Sequence, residues 1–230
     1  MKLLSMRTLA RWHIWLGWLV GVPIALWLAT GLFMVSRPIE EVRGEHLRVK
    51  ADPVPLALPG STLAEPEAGL KEMRVVMQDG RAVAILTGLT GETRRVDFAT
   101  GKPLAPLGAA EARKLVAEKI TGGDKGTRVT LFPADKIPFD FRRPLAVWQV
   151  ALADGTNVYV GRDTGEIEAV RTRWWRAFDF AWGLHIMDLS EREDTSHPVL
   201  ILFAALSLTG ALIGCVLMFR RRKARPSATP

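Results

Sequence analysis

The fold of this chain is decided by residues 12–36, which read WHIWLGWLVGVPIALWLATGLFMVS and contain no charged side chain. A second charge-free stretch, residues 195–219, lies near the other end of the chain. A helix needs roughly 20 apolar residues to cross the hydrocarbon core of a bilayer, and a charge-free helix of that length has no face for water. The two stretches therefore predict transmembrane helices at 12–36 and 198–219.

A secretory signal peptide is the competing interpretation of the first stretch. Signal peptides carry an apolar segment of roughly 7–15 residues, followed by a cleavage site with small residues. Here the apolar run is longer, and only Val35-Ser36-Arg37-Pro38 follows it. These features favour an uncleaved membrane anchor.

The positive charges are concentrated at the two ends of the chain. The tails 1–11 and 220–230 hold eight Lys and Arg residues and no acid, while the whole chain has a net charge of +7. Short basic flanks stay on the cytoplasmic side of a membrane, so we expect both tails in the cytoplasm and the middle of the chain outside. Because the excess charge lies beside the spans, no nucleic-acid partner is expected.

The segment between the spans predicts an α+β domain. Residues 37–66 contain Pro53, Pro55 and Pro59, which prevent helix, so this connector is expected to be extended. Short apolar runs between turn residues then predict strands at 74–77, 82–86, 93–98, 146–152, 157–160 and 167–170. One helix is predicted at 109–120, followed by a proline-containing loop up to residue 145. We therefore expect small antiparallel sheets with a helix in a domain over 67–173.

An internal repeat with an offset of 64 residues runs through this domain. Ala82-Val83 matches Ala146-Val147, and Thr100-Gly101 matches Thr164-Gly165. The pattern predicts two degenerate copies of one antiparallel unit. Chance similarity between generic strand-turn-strand patterns is the alternative.

Each span also carries a Gly-x-x-x-Gly motif, formed by Gly17 with Gly21 and by Gly210 with Gly214. Small residues four apart allow helices to approach closely in lipid, which predicts a homodimer or a larger helix bundle. Positions 13, 17, 21, 25 and 29 read His, Gly, Gly, Ala and Ala. We therefore expect His13 to share the glycine stripe and to face a neighbouring helix.

Three histidines are candidate cofactor ligands: His13 in the first span, His185 in the apolar segment 174–189, and His197 before the second span. The segment 174–189 is too short to span and is expected to be a helix at the membrane interface. An ionisable group on a membrane helix is costly and is kept for a task such as haem ligation. Simple membership of the interfacial belt of amphipathic rings is the alternative. Motifs of nucleotide-binding, zinc-protease and serine-hydrolase sites are absent from the sequence.

The expected positions of the histidines limit any haem site. His13 and His185 are expected at opposite surfaces, about 30 Å apart, so they cannot ligate the same iron. In a dimer, two copies of His13 would ligate one haem b. Two copies of His185, or His185 with His197, would ligate another, and the two haems would form an electron path across the membrane.

The whole chain resembles the PepSY-associated transmembrane family. The resemblance is carried by Arg11 to Gly17, Ala29 to Leu32, Val147 to Glu168, Leu184-His185, Leu208 to Gly210 and Arg220 to Arg222. It implies a bacterial inner-membrane protein with a periplasmic PepSY domain. Larger family members with four spans look like haem-containing ferrisiderophore reductases, and His13 and His185 match the histidines at the heads of their membrane segments. This chain differs in having two spans and no cytoplasmic flavin domain.

Two functions follow from the sequence and the resemblance. The first is a haem-binding protein that passes electrons across the membrane in iron uptake, as a component of ferric-chelate reduction beside an iron-siderophore or outer-membrane receptor system. The second is a non-catalytic, membrane-anchored module. Its periplasmic domain would restrain a protease or bind an assembly partner, as similar domains do in the propeptides of thermolysin-type proteases.

Overall fold

The computed structural model describes residues 5–50, 56 and 69–223. The chain forms two compact units, one from Met1–Pro38 with Ala177–Pro230 and one from Ile39–Arg176. Parts of the predicted tails and connector lie outside the described residues, namely 1–4, 51–55, 57–66 and 224–230.

The first unit is built on two long apolar helices, α1 (Met6–Val35) and α5 (Pro198–Lys223). Helix α1 begins six residues before the predicted span, where the Ser5 side chain accepts a hydrogen bond from the backbone N–H of Thr8. Both helices are long and apolar enough to cross a membrane. Only 11% and 6% of their most apolar windows are buried, which is unlike the core helices of a soluble protein. The two predicted spans are therefore confirmed as apolar helices of spanning length.

Helices α1 and α5 pack along one narrow face each. His13 approaches both Gly210 and Gly214, whereas Leu16, one turn further along α1, approaches Gly210, which is the order expected of antiparallel helices. Buried and half-buried residues recur at alternating spacings of three and four, as in coiled-coil packing. One such series in α1 is His13, Leu16, Val20, Pro23, Trp27 and Thr30, and one in α5 is Phe203, Leu206, Gly210, Ile213 and Leu217.

The apolar segment before the second span forms helix α4 (Arg173–His185), which ends four residues before the predicted limit of 189. Met187 adopts a left-handed backbone with φ 57°, and the N–H of Asp188 donates to the carbonyl oxygen of Gly183 at 3.0 Å. This is the Schellman pattern of a helix C-terminus. This helix end was not predictable from the sequence, because the left-handed position is usually a glycine and here is Met187.

The second unit contains two antiparallel sheets and a helix. The first sheet has the order β1-β2-β3, and the second has the order β4-β5-β6-β7. The strands are β1 (Leu70–Gln78), β2 (Arg81–Gly88), β3 (Thr93–Asp97), β4 (Gly126–Phe132), β5 (Val147–Leu152), β6 (Asn157–Gly161) and β7 (Ile167–Arg171). Helix α3 (Ala109–Lys119) places Ala112 and Val116 in a core with valines of the second sheet. The predicted α+β class is therefore confirmed.

The two sheets share one register. In the β2–β3 ladder Ala84 pairs with Val96, and 64 residues later Trp148 pairs with Val160 in the β5–β6 ladder. The same offset relates all five residue pairs of these ladders. The outer strands repeat as well, because the bulge between Leu70 and Glu72 recurs between Gly126 and Arg128. This common geometry favours repetition over chance similarity.

One strand corrects the prediction, and another differs between the copies. Strand β4 lies where a loop was predicted, because the prolines after residue 132 are typical of a loop. The counterpart of β7 in the first copy is a single bridge between Val96 and Pro103. Because proline has no backbone N–H to donate to a ladder, the pairing at Pro103 is limited to this single bridge.

The connector 37–66 is not extended throughout its described part. Residues Ile39–Val42 form a short helix, α2, and Glu45–Leu47 form a 3-10 turn. Pro38 directly precedes α2, a position where proline is compatible with a helix start. The extended prediction rested on prolines further along, which lie outside the described residues.

Candidate functional site

The His13 imidazole contacts α5 near the N-terminal end of α1. Its Nδ1 lies 3.0 Å from the backbone oxygen of Gly210. A carbonyl oxygen only accepts hydrogen bonds, so Nδ1 carries the proton and donates it. His13 Nε2 has no hydrogen-bond partner among the described residues. One nitrogen of the ring is therefore fixed to the helix pair, and the other retains its lone pair.

The close approach of His13 depends on Gly214. A Cβ added at Gly214 would lie 2.9 Å from His13 Cε1 and 3.4 Å from Nε2. The Gly-x-x-x-Gly motif of α5 therefore forms a cradle for an imidazole.

The glycines of α1 do not take part in this packing, and the prediction that His13 shares their stripe was wrong. Gly17 and Gly21 are exposed, and nothing lies within 4 Å of a Cβ added at either. Each step of four residues turns about 40° beyond a full helical turn, so the glycine stripe rotates away from the face that begins at His13. The packed face follows steps of three and four instead.

The His185 imidazole contacts the other end of α1. Its Nδ1 lies 3.0 Å from Thr30 Oγ1, and its backbone oxygen accepts a hydrogen bond from Trp27 Nε1. The ring lies near two indoles, with its centroid 5.8 Å from that of Trp27 and 6.4 Å from that of Trp182. As with His13, Nε2 has no hydrogen-bond partner among the described residues.

A buried ion pair holds α4 and the following loop together on the side of His185. Arg192 Nη1 lies 2.7 Å from Asp179 Oδ2, with the side chains 18% and 7% exposed. The backbone oxygen of Arg192 accepts a hydrogen bond from Trp182 Nε1 at 3.1 Å. Gly183 allows the arginine to cross the helix, because a Cβ there would lie 2.7 Å from Arg192 Cγ. Trp182, which stacks near His185, is thereby fixed in place.

The carboxylate of Asp188 organises the same loop. It is buried and accepts hydrogen bonds from the backbone N–H groups of Glu191, Glu193 and Asp194, and from the N–H and hydroxyl of Ser190. The Ser190 hydroxyl, followed by the backbone donors, holds the pKa of Asp188 well below its usual range. The loop is therefore built around an ionised carboxylate.

The two histidines lie far apart along α1. His13 and Thr30, which contacts His185, are 17 residues apart in the helix, a rise of about 26 Å. The structure thus keeps the two rings at opposite ends of the helix pair, close to the separation expected from the sequence.

His197 and His46 are not joined to these sites in the described part of the chain. His197 directly precedes α5, and its Nδ1 is buried with no hydrogen-bond partner among the described residues. No described contact brings it to His185. His46 is exposed in the 3-10 turn Glu45–Leu47. Within residues 5–50, 56 and 69–223, no group of three or more His, Cys, Asp or Glu side chains could hold a metal ion.

A second candidate site, missed in the sequence, lies between the two sheets of the α+β unit. Arg74 pairs with Glu166, and Gln78 Nε2 donates to the backbone oxygen of Thr164 at 2.9 Å. These contacts border a cleft of about 1000 Å³ that also contains Arg95. Burial lowers the pKa of the Arg95 guanidinium, which hydrogen-bonds to Gln78 and to a backbone oxygen. In the sequence, the signal for this cleft was the internal repeat, because two copies of one unit pack against each other and form a boundary between them.

The two apolar helices, with the α+β unit separating them in the sequence, define a two-span membrane protein. The profile of the family described as PepSY-associated TM region matches residues 10–230, so the chain belongs to that family. No curated protein and no solved structure matches the chain.

Proposed function

We propose that this protein binds haem through His13 and His185 and passes electrons across the membrane to ferric chelates during iron uptake. The observation that carries the proposal is the shared state of the two rings. Each lies at one end of the helix pair, each engages Nδ1, and each leaves Nε2 without a described partner. Histidines that ligate metals typically hold the second ring N–H in a hydrogen bond to an acceptor of the protein.

The donor set fits haem as half of a bis-histidine site at each end. One chain supplies a single imidazole to each end, and haem iron takes one or two axial ligands. We therefore propose a homodimer, in which the second copy supplies the other histidine. The exposed Gly17 and Gly21 leave a face of α1 where a second copy can approach closely. Haem would supply reversible one-electron chemistry at each end.

The roles of the chain's own residues follow from their contacts. Gly210 and Gly214 hold His13 against α5, and Trp27 and Trp182 hold the plane of His185. The apolar surfaces of α1 and α5 keep water away from the space between the two ends. A separation of about 26 Å then requires one haem at each end, since one haem cannot reach both rings.

The proposed location is the bacterial inner membrane, with both termini in the cytoplasm and residues 39–176 in the periplasm. The antiparallel pair places the basic ends of α1 and α5 at the same end, which supports the positive-inside argument. His13 would then lie at the cytoplasmic end, where electrons enter, and His185 at the periplasmic end. A ferric siderophore as the electron acceptor is proposed from the resemblance to ferrisiderophore reductases.

The test is the visible spectrum and haem content of protein purified in mild detergent from haem-replete cells. We expect a Soret band that His13→Ala and His185→Ala each reduce. His46→Ala is the matched control, because His46 is exposed and should leave haem content unchanged. A folded wild-type protein without colour would contradict the proposal.

The inter-sheet cleft favours a second candidate, a membrane-anchored module that binds a protease or an assembly partner. Arg95, with a guanidinium partly removed from water, would contribute to such a contact. In this case the purified full chain would be colourless and would inhibit a thermolysin-type protease, and Arg95→Ala would weaken the inhibition. Unchanged protease activity with the wild-type chain would reject this candidate.

A further inference from the structure

The Thr30 hydroxyl is bonded on two sides. Its Oγ1 lies 2.8 Å from the backbone oxygen of Leu26 and 3.1 Å from that of Trp27. It also lies 3.0 Å from Nδ1 of His185. Thr30 is buried at 6% exposure, so no bulk water replaces any of these partners.

A threonine hydroxyl has one proton, and this decides which group donates to which. Carbonyl oxygens only accept, so the Thr30 proton must point to Leu26 or Trp27 for those short oxygen–oxygen contacts to be attractive. If the proton pointed to His185 instead, two oxygens would face each other at 2.8 Å without a proton between them. The hydroxyl therefore accepts, and His185 Nδ1 donates.

We infer that Thr30 is a positioning residue that fixes His185 in the Nδ1–H tautomer and so presents Nε2, with its lone pair, as the metal-ligating atom. The Nδ1–H tautomer is independent of the proposed function, whereas the binding of Nε2 to haem iron rests on the proposed function. The neighbouring indoles fix the ring plane, and the hydroxyl fixes its proton. At the other end of the helix pair, the Gly210 carbonyl oxygen accepts the Nδ1 proton of His13, as the Thr30 hydroxyl accepts that of His185.

Thr209 of α5 separates this role from simple helix packing. Its hydroxyl also bonds the carbonyl oxygen four residues earlier, Ala205, at 2.8 Å. Thr209 is exposed and has no contact with a histidine among the described residues. A threonine in a membrane helix can therefore satisfy its hydroxyl without positioning anything, which makes Thr209 the matched control.

The test is the ¹⁵N spectrum of the histidine ring nitrogens in the haem-free full chain, in lipid nanodiscs, at a pH where the spectrum shows neutral imidazole. Wild-type and Thr30→Ser proteins should show His185 protonated at Nδ1 and unprotonated at Nε2. Thr30→Val, which keeps the shape and removes the acceptor, should move the proton to Nε2. Thr209→Val should change neither His185 nor His13.

The inference is overturned if wild-type His185 is protonated at Nε2, or if Thr30→Val leaves the proton on Nδ1. Haem titration of the same proteins provides the second readout, in which Thr30→Val should bind about 10- to 100-fold more weakly and Thr30→Ser should bind as wild type. Equal affinity of Thr30→Val and wild type would remove the positioning role. An Nδ1–H tautomer in a chain that binds no haem would support the assignment of the proton and reject the proposed function alone.

Discussion

At both ends of the helix pair an imidazole is hydrogen-bonded through Nδ1, but the groups that contact it differ. At the His13 end the acceptor is the backbone oxygen of Gly210, and the fit depends on the missing side chain of Gly214. At the His185 end the acceptor is the Thr30 hydroxyl, and two indoles lie beside the ring. The His13 ring is positioned by a backbone oxygen and by the absence of a side chain at Gly214, whereas the His185 ring is positioned by side chains. The two ends should therefore fail under different substitutions.

The largest effect is expected on the His185 side, at the buried ion pair. Arg192→Ala would remove the guanidinium that lies 2.7 Å from the buried Asp179 carboxylate, and breaking a buried ion pair typically costs about 3–5 kcal/mol. We expect a loss of this size in the free energy of unfolding in mixed micelles, and lower haem content from displacement of Trp182. Lys114→Ala is the control, because the Lys114–Glu118 pair is exposed and such pairs contribute about 0–1 kcal/mol. Equal losses in the two variants would mean that this pair does not hold the loop.

The next effect is expected on the His13 side. In Gly214→Ala the new methyl group would be 2.9 Å from His13 Cε1, and overpacking of this kind costs about 1–3 kcal/mol. The variant should unfold at lower denaturant and lose haem from the His13 end. Gly17→Ala should leave the packing of α1 against α5 within one chain unchanged, because nothing lies near its Cβ position. A loss of haem caused by Gly17→Ala would therefore report the proposed contact between two copies, whereas unchanged stability of Gly214→Ala would contradict the cradle.

Acidification should loosen the loop that follows His185. The pKa of Asp188 is depressed in the folded chain, so its contribution to stability is present above the ordinary aspartate pKa of about 3.9 and is lost as pH falls below it. Amide protection factors, which are corrected for the intrinsic pH dependence of exchange, should fall with acid in residues 188–194 of the wild type. Asp188→Asn should have lower protection factors already at neutral pH, with little further change on acidification. Protection factors of the wild-type loop that do not change with pH would contradict the role of the carboxylate.

The smallest effect is expected at Gly31, which lies near His185 as Gly214 lies near His13. Gly31→Ala would place its methyl 3.6 Å from His185 Cε1, an ordinary van der Waals contact. We expect a change in unfolding free energy within about 0.5 kcal/mol, measured as for Gly214→Ala. A loss as large as that of Gly214→Ala would show that both ends depend on missing side chains.

The spans and most of the strands were predictable because their signals are local. A charge-free run has to be buried in lipid, and alternation between turns indicates strands whatever the partner. The repeat was also visible, and its register now extends to the bulge at Gly126–Arg128. Strand β4 was not predicted, because the prolines that follow it are typical of a loop.

The arrangement of the site was only partly predictable. The sequence indicated His13 and His185, but their partners Gly214 and Thr30 lie 201 and 155 residues away in the chain. Which glycines pack depends on the phase between two helices, and the period of four used for Gly17 and Gly21 gave the wrong face. The end of α4 depends on a left-handed Met187, which composition does not reveal.

Haem ligation by His13 and His185 is tested by titrating haem-free protein with ferric haem and following the absorbance spectrum. We predict a saturable low-spin spectrum for the wild type and none for the His13→Ala/His185→Ala double variant, with both proteins folded by circular dichroism. If the double variant titrates like the wild type, these histidines are not the ligands and the account is wrong.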